Sequence, residues 1–330
     1  MLPVYVPDYY RAFRCIASEC RHSCCIGWEI DVDEEALARF DRVTGAMGAR
    51  LQAGIDRESD PPCFRLDGEE RCPFLNRNGL CDLITELGEE SLCRICSDHP
   101  RFRNLLFDRV ELGLGLCCEA AARLILGREE PCTIVALPQD EALHERTANA
   151  SREEEDPVTV AMLKAREALF DVLQDRAYPL SRRIRHVLTA LDISLPVSTF
   201  GEWAEFLGDL ERLDSAWDGY LQGLSALSEP LEQELDGEGS AAYEQLVIYF
   251  LYRYLTAEDD GRPTLLQVRV AFAILSACLI HGLVRATGNT APDALYEVAR
   301  MYSSEIEYSE ENLERFLDRI EDLMAIGGSL

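Results

Sequence analysis

Twelve of the thirteen cysteines in this 330-residue chain lie within its first 132 residues. So many thiols in so short a stretch must be paired, bound to metal or catalytic. The opening, MLPVYVPDYY, has neither the basic n-region nor the apolar h-region of a secretory signal, which predicts a cytoplasmic chain. The cytosol keeps thiols reduced, so metal binding is favoured over disulfides. The thiols fall into groups: Cys15, Cys20, Cys24 and Cys25; then Cys72 and Cys81; then a CxxC pair, Cys93 and Cys96; then adjacent Cys117 and Cys118, with Cys63 and Cys132 as outliers. A CxxC pair aims two thiolates at one metal across a tight turn, and other groups can complete the shell on folding. The thirteenth, Cys278, lies in an apolar helical run and reads as a small core residue.

Soft thiolates suit zinc and iron–sulfur clusters alike. Zinc fingers repeat CxxC at a fixed gap or mix in histidine. Here one CxxC stands among irregular spacings, and only His22 and His99 lie near the grouped cysteines. The pattern favours an iron–sulfur cluster, 4Fe-4S first, with zinc as the alternative metal. The candidates are numerous enough for two clusters, and one is the simpler expectation. The CxxxCxxC signature of radical S-adenosylmethionine proteins is absent: Cys20 and Cys24 have its first gap, but Gly27 stands where the third cysteine would be.

Sixty acidic residues against 32 basic ones give a formal net charge of -28. Such a surface repels nucleic-acid backbones, so DNA and RNA are not expected partners. It favours basic protein partners, and it equally serves plain solubility. Lys164 is the only lysine. That suits an enzyme avoiding self-modification, and a coding bias toward arginine explains it as well. The longest apolar stretch, Val270 to Ile280, is too short to span a bilayer and is flanked by Arg269 and His281, so no membrane span is expected.

The expected fold is mainly α: a loop-rich N-terminal cysteine-cluster domain with few short strands (residues 1–138), a charged linker (139–156), and an all-helical C-terminal domain (157–330). In the first part, Asp33 reads as an N-cap with Glu34 and Glu35 in the first helical turn. Residues 54–68 read as loop around Pro61-Pro62, with Phe64-Arg65-Leu66 as a short strand, and Asn78-Gly79 marks a turn. Glu119 to Leu126 reads as helix. In the second part, helical periodicity runs from Val158 to Leu173, Tyr243 to Leu255, Leu265 to Ala286 (closed by Gly288), and Ala291 to Ile306. Thr199 to Glu202 is a capping box, and Ser309 opens a last helix to about Ile326. Trp203, Trp217, Tyr249 and Tyr252 read as core aromatics.

Several blocks resemble the flagellin lysine-N-methylase family. They are Cys15-x4-Cys20-x3-Cys24-Cys25-x-Gly27-Trp28; Cys72-Pro73-Phe74-Leu75 with Leu80-Cys81; Leu87-Gly88-Glu89-Glu90-x-Leu92-Cys93-x2-Cys96 with Pro100-Arg101; and Cys118 with Ala122-Arg123-Leu124. Where the family has Cys-Pro-Glu, this chain has Cys118-Glu119-Ala120. A broader relative is a cysteine-cluster domain described as zinc- or iron-chelating. The resemblance covers about residues 5–126. It implies an iron–sulfur protein that transfers methyl from S-adenosylmethionine to flagellin lysines, with Cys15, Cys20, Cys24, Cys25, Cys72, Cys81, Cys93, Cys96 and Cys118 as metal ligands. Such transfer needs a neutral lysine amine, held among groups that lower its pKa and rings that attract the cation. The candidates for that work near the cluster are Trp28, Glu29, Asp31, His99 and Arg101. The alternative is a non-catalytic iron–sulfur or zinc module for electron transfer or partner docking, in which the metal serves mainly to tie together a loop-rich domain.

Overall fold

The computed structural model describes residues 2–138, 156–195, 198–227, 231, 235–237, 239–256, 264–289 and 291–327. The chain is mainly α, with thirteen α-helices and six short strands among the described residues. It divides into two compact units: Arg14–Arg101 with Cys118–Ala120, and Met1–Phe13 with Phe102–Cys117 and Ala121–Leu330.

The cysteine-rich unit is built from short pieces. Helix α1 (Glu34–Phe40) opens on Asp33, whose carboxylate accepts from the Ala36 N–H, and Glu34 and Glu35 suit its dipole. Helix α2 (Gly45–Gly54) leads into a two-stranded hairpin, β2 (Ile55–Asp56) and β3 (Cys63–Phe64). The strand expected at 64–66 therefore begins one residue earlier and is shorter. The turn at Asn78-Gly79 forms as expected. Asn76 Oδ1 accepts from the Asn78 and Leu80 N–H groups, and Gly79 takes φ +72°. Helices α3 (Asp82–Leu87) and α4 (Arg94–Asp98) follow. One core joins these pieces: Ile30, Val32, Phe40, Leu51, Phe64, Phe74, Leu83 and Leu92, with Cys72 and Cys93 buried among them.

The other unit holds a four-stranded sheet in the order β4-β5-β1-β6: β1 (Val4–Pro7), β4 (Arg101–Leu105, entering the unit at Phe102), β5 (Val110–Leu114) and β6 (Ile134–Ala136). Strand β1 runs parallel to β5, pairing Val4 with Val110, and antiparallel to β6, pairing Val6 with Val135. Gly113 lets the Phe102 ring lie on β5, because a Cβ there would sit 2.1 Å from Phe102 Cζ. The unit takes in most of α5 (Glu119–Leu126) and then α6 (Pro157–Leu173), α7 (Leu180–Ala190), α8 (Phe200–Gly208), α9 (Trp217–Ser225), α10 (Ser240–Tyr254), α11 (Leu265–Thr287), α12 (Pro292–Glu307) and α13 (Glu310–Gly327). The Thr199–Glu202 capping box opens α8, and Gly288 closes α11 at φ +66°. Trp203, Trp217, Tyr249 and Tyr252 are all buried.

The division into units cuts across the expected domain of residues 1–138. Its opening strand and the stretches from Phe102 to Cys117 and onward from Ala121 belong with the helices, because β1 finds its partners more than a hundred residues away. Among the described residues of 157–330 every element is a helix, as expected, and the strands that join their unit all come from residues 4–136. Nearly all of the expected linker, residues 139–155, lies outside the described residues. Helix α11 is longer than its apolar stretch suggests. At 23 residues it is long and apolar enough to cross a membrane, yet 72% of its most apolar window is buried within the protein, as a core helix would be.

Candidate metal centre

All thirteen cysteines are thiols rather than disulfides. The nine expected ligands all lie in the cysteine-rich unit, and they form two sets of neighbours. Cys25, Cys72, Cys81, Cys93 and Cys96 belong to the apolar core or pack against it. The Cys72 N–H donates to the Cys25 carbonyl at 2.8 Å, and Cys81 is bridged to Leu75 beside Phe74. Cys93 caps α4, one turn before Cys96. Burial pushes the Cys72 thiol up to about 12, with Cys25, Cys96 and Cys81 as the charged neighbours that add to it. Burial also raises Cys81, next to Cys25 and Cys96. Cys96 is raised by its hydrogen bond to Cys93, then by burial and by Cys25.

The second set is Cys15, Cys20, Cys24 and Cys118. A single 3₁₀ turn, Ala17–Glu19, separates Cys15 from Cys20. Cys15 Sγ accepts from the Ala17 N–H at 3.4 Å. Cys20 Sγ lies 3.8 Å from Glu119 Oε2 and donates to the His22 carbonyl at 3.2 Å. Burial pushes the Cys20 thiol up to about 11, with Glu119, Cys118 and Cys15 adding to it. Cys15 and Cys24 are exposed; Cys20 and Cys118 are half-buried. The sets meet at Cys24 and Cys25. The Cys24 S–H shared with Cys25 raises the first thiol and lowers the second to about 7, with Ser23 and Arg71 assisting the thiolate.

Among the described residues, no three His, Cys, Asp or Glu side chains stand close enough together to hold a metal ion. The donor chemistry nevertheless suits an iron–sulfur cluster. Every donor is a soft thiol, and a cluster of several irons spreads its thiolates farther apart than one zinc ion does. The raised thiols, Cys20, Cys72, Cys81 and Cys96, are held protonated, and a bound cation would make thiolates of them.

Of the other expected site residues, Trp28, His99 and Arg101 are brought together. The Trp28 ring is 6.2 Å from that of His99, and its Nε1 donates to the Cys24 carbonyl at 2.6 Å. Burial, with Arg101 beside it, lowers His99 to about 4, so the imidazole is neutral at neutral pH. Glu29 sits instead with Asp31 and Cys63. The Ser59 hydroxyl holds the Cys63 thiol down, but burial and the Glu29 carboxylate together push it up. Asp31 is raised by burial and then by Glu29. Cys117 belongs to the helical unit, hydrogen-bonded to Tyr308. Cys132 is buried there, its backbone clasped by the Gln174 amide. Cys278 is buried in α11. One residue was missed by spacing alone: Glu119, 5% exposed, accepts from Arg21 N at 2.9 Å and Arg21 Nε at 3.1 Å beside the second set. A carboxylate next to a cysteine was the available signal.

Two curated proteins named lysine-N-methylase match the chain over 131 residues. The one from Salmonella typhimurium is 25% identical and the one from Salmonella choleraesuis 28%, in each case over 38% of this chain. The chain is distantly similar to lysine-N-methylases. It spans about a third of those relatives' length, 33% in each. A protein named flagellar biosynthetic protein FliU, from Salmonella muenchen, is 27% identical over 131 residues, covering 78% of its own length. No family model matches the chain, and no solved structure does.

Proposed function

We propose that this chain is an iron–sulfur protein that transfers methyl groups from S-adenosylmethionine to lysine side chains of flagellin, in the cytoplasm. The similarity to proteins named lysine-N-methylase carries the reading, and the name of the third relative points to a flagellar substrate. The nine thiols gathered in one unit support the cluster. A bound cluster would supply positive charge that keeps the thiols ionised, and covalent ties across a core made of short segments. Cys25, Cys72, Cys81, Cys93 and Cys96, with Cys15, Cys20, Cys24 and Cys118, are the residues that would hold it.

In methyl transfer the lysine amine attacks the donor methyl. The new C–N bond forms as the C–S bond breaks, its electron pair stays on sulfur, and the methylated ammonium sheds a proton. The amine must therefore arrive neutral and aligned. Near the thiols, the Trp28 ring offers a face for a cation, and neutral His99 can accept a hydrogen bond from an amine. With its pKa near 4, His99 is too weak a base to keep that proton, so its part is orientation. The net charge of -28 favours a lysine-bearing partner.

The test is anaerobic purification with iron, sulfide and zinc quantified, followed by methyl transfer from labelled S-adenosylmethionine to flagellin. Iron with sulfide, and label in flagellin lysines, is the expected result. Zinc without sulfide after anaerobic reconstitution would sink the cluster. A cluster-loaded protein that neither binds the donor nor labels flagellin would sink the methylase.

A further inference from the structure

We infer that the nine thiols hold two separate metal centres: an inner one of Cys25, Cys72, Cys81, Cys93 and Cys96, and an outer one of Cys15, Cys20, Cys24 and Cys118. The inference rests on the metal-binding reading above and goes beyond it.

Four observations carry it. Cys118, Glu119 and Ala120 are a three-residue stretch that belongs with Arg14–Arg101, while the chain on both sides belongs to the helical unit. Cys118 is thereby placed with the Cys15–Cys24 segment and not with the residues next to it in sequence. Glu119 fixes this placement: its buried carboxylate takes the Arg21 N–H and guanidinium and lies 3.8 Å from Cys20 Sγ. The inner thiols have a different setting. Cys72 and Cys93 are buried with Phe74 and Leu83, and Cys25, Cys81 and Cys96 pack against the same core. Finally, the numbers suit the chemistry. A cluster takes four cysteines, so one cluster would leave five of the nine thiols without a role, whereas sets of four and five supply two complete shells.

The two centres then divide the work. The inner one replaces part of an apolar core and acts as a folding element, since the free energy of metal binding becomes free energy of folding. The outer one has solvent-exposed Cys15 and Cys24 among its donors and can exchange electrons or meet a partner. Adjacent Cys24 and Cys25 contribute one donor to each, which keeps the centres close. The shared chemistry is a soft metal on thiolates; metal analysis tells iron–sulfur from zinc at each centre.

The experiment uses the full chain, purified anaerobically, with metal and sulfide counted per chain. The variants are Cys15→Ser and Cys118→Ser for the outer set, Cys81→Ser and Cys96→Ser for the inner, and Cys117→Ser as a control. Two centres predict that each outer variant loses roughly half of the metal and keeps the rest, given four thiolates per cluster. The control keeps all of it. Outer variants also keep the wild-type melting temperature more nearly than inner ones. If an inner variant fails to fold, the wild type still decides the matter. When reduced it should show the broadened paramagnetic signal of two interacting clusters, and Cys118→Ser should narrow it to that of one. If an outer variant strips all metal, if the outer variants lose none, or if the control loses any, the two-centre inference is overturned while the metal reading stands. Wild-type protein with neither iron nor zinc overturns both. Zinc in place of iron, with half lost in each outer variant, upholds two centres and removes the iron–sulfur reading alone.

Discussion

Glu244 shows at the scale of single residues how the helical unit spends charge in its interior. It is 1% exposed and is held by Arg176 at 2.9 Å and by buried Arg183 at 2.6 Å. Replacing it by Ala would strand the Arg183 guanidinium in the interior, so Glu244→Ala should cost ~3–5 kcal/mol in chemical denaturation. Near-wild-type stability would mean that water reaches Arg183. Steric limits act at the same scale. A methyl at Gly113 would meet the Phe102 ring, which is itself packed against Tyr249 and Tyr252. Gly113→Ala should therefore destabilise by about 1–3 kcal/mol, read from the denaturation midpoint. In the cysteine-rich unit the corresponding anchors are Phe64 and Phe74, fully buried with ring centroids 5.0 Å apart.

At the scale of elements, caps decide where helices begin. The Thr199 hydroxyl accepts from the Glu202 N–H at 3.2 Å, and the Glu202 carboxylate takes the Thr199 N–H at 2.7 Å. Thr199→Ala should cost about 1 kcal/mol. Those hydrogen bonds from Thr199, with Arg319 helping, hold the Glu202 carboxyl below its usual 4.5. A carboxyl lowered in the folded state adds stability above its unfolded pKa and loses it as pH falls through the folded one. The stability gap between wild type and Glu202→Gln should therefore be present at pH 7 and shrink in acid below 4.5. A gap that stays constant down to strongly acid pH would show that the carboxylate's charge is not what the cap uses. Helix α10 makes a different point. It is buried on nearly every side, from Ala242 to Tyr252, because it packs on helices while the Tyr252 hydroxyl donates to the sheet at Leu112 O, 3.1 Å away.

At the scale of the molecule, the two units differ in what holds them together. The helical unit has a continuous apolar interior running through α10, α11 and α12. The cysteine-rich unit is made of helices of five to ten residues and a hairpin of two-residue strands. Such pieces are too short to persist alone. If the thiols hold the proposed metal, removing it with a chelator should raise hydrogen exchange across residues 14–101 and leave α10 to α12 protected. Uniform loss of protection in both units would contradict this, as would no change in either.

Much of this was legible in the sequence because its causes are local. Asp33, Thr199, Ser309 and Gly288 announce helix ends by their own hydrogen bonds or φ, and helical spacing found α6, α10, α11, α12 and α13 within a few residues. Crowded thiols pointed to one cysteine-rich region. Helices α7 and α9 went unmarked, since α7 opens on Pro179 and α9 on Ala216, neither with a side-chain cap. What the sequence could not carry was anything that depends on partners far away in the chain. Strand β1 belongs with β5 and β6 only because Val4 meets Val110 and Val6 meets Val135. Cys117 and Cys118 fall in different units because Glu119 reaches Arg21, 98 positions earlier. Residue types and short-range geometry set the helices and the thiol chemistry; long-range pairing, which leaves no periodic trace in a single sequence, decided which thiols are neighbours.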